Sequence, residues 1–124
     1  MAFEQSKLTI TLEAGADLSA KQYYFVAVDT SGKAVLTGDD GNPIGVLQNK
    51  PTAGQAASVC VYGVTKLYIG TESGLGAGYN VGCDSNSAGK VSDTGSFRMG
   101  VALEDPTADG DIVSILLQKN GKQA

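Results

Sequence analysis

The sequence predicts an all-β fold, a small compact β-barrel or sandwich with an internal repeat and glycine-rich turns. Three observations carry that prediction. No window sustains helical periodicity, whereas short apolar runs of strand length recur between turn signals. The chain has 17 glycines against 3 prolines, with hydrophobic residues at 42%, as in a tightly turned folded chain. Finally, a phrase from the middle of the chain returns near its end.

The phrase is Pro43 to Val61, PIGVLQNKPTAGQAASVCV, and its echo is Met99 to Leu117, MGVALEDPTADGDIVSILL. Gly45-Val46 answers Gly100-Val101, and Pro51-Thr52-Ala53 answers Pro106-Thr107-Ala108, each 55 positions on. Ser58-Val59 answers Ser114-Ile115 after one inserted residue. Upstream, Tyr24 to Asp29 answers Tyr79 to Asp84. Gly32-Lys33 is matched to Gly89-Lys90, and Glu13-Ala14-Gly15 to Glu72-Ser73-Gly74. The expected units are about 13–69 and 72–118. Two copies are too few for a solenoid, so a pseudo-twofold single domain is predicted over 7–124, after an N-terminal arm of residues 1–6.

Lys7 to Leu12 alternates strictly, with Leu8, Ile10 and Leu12 on one face, as a half-buried strand does. Leu18 to Gln22 is polar enough for a single helical turn. Tyr23 to Val28 is a strand with Tyr24, Val26 and Val28 on one face. Asp29 to Lys33 is a hairpin loop, and Ala34 to Leu36 returns. Pro51 and Gly54 turn the central phrase. Tyr62-Gly63 marks a bend before a strand from Val64 to Ile69. Thr71 to Gly78 connects the units. Tyr79 to Cys83, Phe97 to Leu103 and Asp111 to Leu117 are the later strands.

At 124 residues the chain is one domain with enough surface to bury a core. Net charge is −4 and no basic run exists, which disfavours nucleic acid as a partner. No stretch is long enough to cross a bilayer, and MAFEQSK lacks the charged-then-apolar pattern of a leader. Synthesis in a reducing cytoplasm is therefore expected, with Cys60 and Cys83 as small buried hydrophobes, not a disulfide.

Histidine is absent, so no Ser-His-Asp or Cys-His site can be built. We expect no enzyme, no cofactor and no metal. Asp105, Asp109 and Asp111 share a loop, as do Asp39 and Asp40, but their spacing fails the calcium-loop pattern. Gly74 to Gly78 lacks the Lys-Ser/Thr of a phosphate loop. Tyrosines 23, 24, 62, 68 and 79 offer a sugar-stacking face in one reading and half-buried strand residues in the other.

MAFEQ, AGADLSAKQY, PIGVLQNKPTAGQAASVCVYGVTK and GVALEDPTADGDIVSILL together resemble the capsid cement, or head decoration, proteins of tailed bacteriophages. The resemblance covers nearly the whole chain and rests on strand-turn-strand phrases. It implies a structural virion protein that binds the outer surface of an assembled capsid and stabilises it. The implied partners are the major capsid protein and other copies of the chain, a homotrimer being favoured. The alternative is a non-catalytic carbohydrate- or ligand-binding β-module on a phage or cell surface. The expected capsid contact is the arm, Ala2, Phe3, Glu4, Gln5 and Ser6, adding backbone to an exposed strand edge with Phe3 as an apolar plug.

Overall fold

The computed structural model describes residues 5–38, 41–71, 73–93 and 95–122, with side chains from Leu8 onward. Among the described residues nine strands form: β1 (Gln5–Glu13), β2 (Phe25–Val28), β3 (Ala34–Leu36), β4 (Gly45–Leu47), β5 (Ala56–Tyr68), β6 (Asn80–Cys83), β7 (Gly89–Val91), β8 (Gly100–Ala102) and β9 (Ile112–Leu117). All join one curled antiparallel sheet in the order β3-β2-β4-β5-β9-β8-β6-β7, with β1 along the other edge of β5. The chain is all-β, as the turn-punctuated apolar runs predict.

The ladders repeat. Val26 faces Leu36 and Gly45, as Val81 faces Val91 and Gly100. Val46 faces Cys60, as Val101 faces Leu116, where the one-residue insertion is absorbed. Gly54 and Gly110 close the Pro51 and Pro106 turns at φ 85° and 84°. Their amides donate to Ala14 and Ile69 carbonyls, each at 2.8–2.9 Å.

These pairings correct two sequence alignments. Gly15 corresponds to Gly70, not Gly74, since their amides donate to Ala34 and Gly89 respectively. Gly32 corresponds to Ser87, not Gly89, both at positive φ (79° and 67°), so Lys33 matches Ala88. β1 pairs with the first half of β5 (Glu13 to Ala56, Leu12 to Ala57), and the second half of β5 pairs with β9 (Tyr68 to Ile112, Leu67 to Val113) in the same way. Thus β5 ends one unit and begins the next. The bend at Gly63 (φ 118°) does not interrupt it. Opposite the bend, β1 slips register between Ser6 and Thr9.

β2 does not bury the single face its alternation predicts. Phe25 and Val26 are both fully buried, while Val28 is exposed. The reason is a cover on each side of the sheet. Phe25, Val46 and Cys60 enter one apolar cluster with Leu67, Val81, Met99 and Ile115. Their strand neighbours Val26, Leu47 and Val59 enter a second with Ala14, Leu18 and Ala57. Leu18 explains why 18–22 is no helical turn. Its side chain is buried and its amide donates to the Pro51 carbonyl, which ties the segment down as turns. Cys60 and Cys83 are buried and are not joined in a disulfide.

Candidate functional site

An open cleft lies at the seam between the two units. The Tyr68 amide at the end of β5 donates to the Tyr23 carbonyl at 2.9 Å, which brings the start of the second unit against the approach to β2. There the Tyr24 and Tyr68 rings stack, centroids 4.6 Å apart and planes 14° apart. The Lys21 ammonium sits over the Tyr24 ring at 4.8 Å. With Asn86, Ser87 and Asp109 these residues line an open cleft of about 510 Å³.

The wall of the cleft is the Asp84 hairpin. Asp84 Oδ1 accepts the amides of Asn86 and Ala88 at 2.8 and 2.9 Å, as Asp29 Oδ1 accepts those of Ser31 and Lys33 in the first unit. An aspartate that caps its own turn needs this short spacing. Asp29 is half-buried, whereas Asp84 is fully enclosed, with Oδ2 unpartnered among the described residues. The backbone of Gly70 closes over it; a Cβ there would lie 2.2 Å from Oδ2.

The Tyr24 phenol is pushed up to about 12, by burial first, then by its hydrogen bond to Tyr68, and then by the charges of Tyr68 and Asp84. Its folded pKa lies above the ordinary 10.0, so its contribution to stability is complete below pH 10 and lost as pH rises through 12. In an alkaline titration one tyrosinate signal is expected only near pH 12, and Tyr24→Phe should abolish that step and reduce the alkaline loss of stability. A Tyr24→Phe protein with an unchanged titration curve would refute the assignment.

The cleft offers phenols, an amine, an amide and a carboxylate, suited to hydrogen bonding and stacking. Among the described residues that line it, no nucleophile, base and orienting group are arranged together. Among the described residues no group of three His, Cys, Asp or Glu side chains gathers to hold a metal. Asp105 Oδ1 accepts the Ala77 amide at 2.7 Å. Asp111 Oδ2 accepts the Thr107 amide and hydroxyl at 2.6 and 2.7 Å, bonds that hold its carboxyl below the usual range. These acids close loops. Gly74 to Gly78 is a connector, and Asp39 and Asp40 lie outside the described residues.

The five tyrosines do not form one face. Tyr24 and Tyr68 gather at the seam, Tyr23 packs on the main core, and Tyr62 and Tyr79 are exposed. Of the expected contact residues, Ala2, Phe3 and Glu4 lie outside the described residues. Gln5 and Ser6 open β1, opposite Val64 and Gly63, so the strand starts before Lys7. The seam itself was invisible to sequence reasoning, although the matched Tyr24 and Tyr79 were the available signal.

The fold and site define a non-helical protein of two equivalent β-units merged through one strand, with a polar, aromatic cleft at the seam. Among solved structures it is similar to the head fiber gp8.5 N base of bacteriophage phi29, at a TM-score of 0.70 and 16% identity, covering 94% of this chain and 98% of that one. At that identity the likeness is one of fold. No protein-family model matches the chain, and no curated protein does.

Proposed function

We propose that the chain is a structural phage virion protein that binds the outer surface of the assembled capsid and stabilises it. The observation that carries this is the fold shared, over nearly the full length of both chains, with a phage head fiber base. The resemblance of the central and C-terminal phrases to capsid cement proteins supports it from the sequence side. The working form is a closed homo-oligomer, a trimer, on a capsid symmetry axis, with major capsid protein as partner.

Attachment falls to the arm, Ala2 to Glu4 leading into Gln5 and Ser6 of β1. Ordering about four to six residues costs on the order of 4–12 kcal/mol. A buried phenylalanine returns roughly 2–3 kcal/mol and each backbone hydrogen bond about 1. Several arms must therefore act together through effective concentration. The test mixes purified chain with phage heads lacking it. Co-sedimentation and a raised head-disruption temperature are expected, and deletion of Ala2 to Glu4 should weaken retention at least tenfold. Heads that neither retain the chain nor gain stability would refute the reading; full retention without the arm would refute the arm's role.

The seam cleft favours a second reading, a non-catalytic carbohydrate- or ligand-binding module. Tyrosine quenching by neutral oligosaccharides, lost in Tyr24→Ala, would support it.

A further inference from the structure

The repeat lets the seam inside the chain serve as a template for what its outer ends can do. At the seam, five residues of the first unit meet five of the second. Tyr23 O accepts from Tyr68 N, the Tyr24 ring stacks on Tyr68, and the Phe25 amide donates to Ser87 O at 2.8 Å. The Gly38 amide donates to Ser87 Oγ at 2.9 Å, and Gly38 O accepts from Cys83 Sγ at 3.7 Å. Gln48 Nε2 donates to Thr65 Oγ1 at 2.9 Å, and Lys66 lies 5.7 Å over the Tyr23 ring.

Each of these residues has a counterpart at an open end. Tyr24, Gly38 and Gln48 correspond to Tyr79, Asp93 and Leu103 on the free side of the second unit. Tyr68, Cys83 and Ser87 correspond to Glu13, Val28 and Gly32 on the free side of the first. Six large hydrophobic residues are exposed among the described residues, and three of them are such counterparts: Tyr79 at 53%, Val28 at 44% and Leu103 at 42%. Within the chain the equivalent of Val28, Cys83, is only 9% exposed because the neighbouring unit covers it.

Polar groups also meet. Placed as the seam is placed, Asp93 of one copy, paired with its own Lys90 at 3.1 Å, would lie at Gly32 of the next, beside Lys33. Tyr79 would lie over Glu13, the partner of Lys33 at 3.2 Å. A phenol and a carboxylate can hydrogen-bond where the seam has two stacked phenols.

We propose that the free side of the second unit, centred on Tyr79 and Leu103, docks on the free side of the first unit of another copy, centred on Val28 and Lys33. The contact continues the internal seam from chain to chain. It is heterologous, joining two different surfaces, and so propagates head to tail until the rotation closes a ring. It deepens the oligomer of the reading above but requires no capsid, so the two can fail separately.

The test uses the full chain free in solution and measures mass by sedimentation over a range of concentrations. The parent should assemble beyond monomer. Val28→Glu should be defective at one end and Tyr79→Ser/Leu103→Ser at the other, each weakening assembly at least tenfold while melting like the parent. Should Val28→Glu fail to fold, Val28→Ser takes its place. Mixed together, the two variants keep one intact pair of surfaces, so they should form one-to-one dimers and nothing larger. A parent that stays monomeric, variants that assemble like the parent, or a mixture that stays monomeric would each overturn the proposal.

Discussion

Gly45→Ala and Gly100→Ala are each expected to destabilise the chain by about 3–4 kcal/mol, among the largest losses available to a single methyl group. A Cβ on Gly45 would lie 2.1 Å from the Cys60 carbonyl oxygen, and one on Gly100 would lie 1.9 Å from that of Leu116. Backbone of a paired strand cannot step aside as a flexible side chain does. The two sites are equivalent, one at the β4–β5 ladder and one at β8–β9. Gly100 bears the added strain of φ 150°. Calorimetry should show melting lowered by roughly 10–15 °C for either variant. Gly32→Ala is the contrast: its φ is 79°, but its Cβ would meet open space, so a loss of about 1 kcal/mol is expected. A Gly45→Ala protein within about 1 kcal/mol of the parent would show that the ladder is looser than described.

Phe25→Ala should cost about 3–5 kcal/mol, and Asn80→Ala less than about 0.5, although the two residues hold the same place in their units. Phe25 is fully buried in the main core and its amide is held by Ser87 of the other unit. Asn80, on the outer side of the second unit, is exposed. Urea denaturation checks both variants, and equal losses at the two positions would contradict the seam as the source of the difference.

Much of the fold was legible because strand alternation and turn chemistry are local. Lys7 to Leu12 announces β1, and the paired Gly45/Gly100 and Pro51/Pro106 announce the repeat. The sharing of β5 was not legible, since it depends on which strand pairs with which. Pairing assigns β5 to both units, and no residue in Ala56–Tyr68 records that it is used twice. Gly89-Lys90 matched Gly32-Lys33 by letter, yet the turn is governed by positive φ, which Ser87 adopts in place of glycine. The cleft was hidden for a similar reason. Tyr24 and Tyr68 are separated by most of a unit, and only the amide of Tyr68 on Tyr23 brings their rings together. The enclosed Asp84 looks, in sequence, like its half-exposed counterpart Asp29.

The double use of β5 also bears on how such a chain could arise and be cut. A tandem copy joined end to end would leave a linker, where a protease could release two intact domains. Among the described residues no such point exists. A break in the 70–78 connector leaves the first fragment with a complete β5 that displays an unpaired edge, and the second fragment without its opening strand. The fragments would be obligate complements, able to regain the sheet only by β9 returning to the edge at Gly63–Tyr68. Any ancestor of a single unit would have carried the same unfilled edge and found its missing strand in a neighbour.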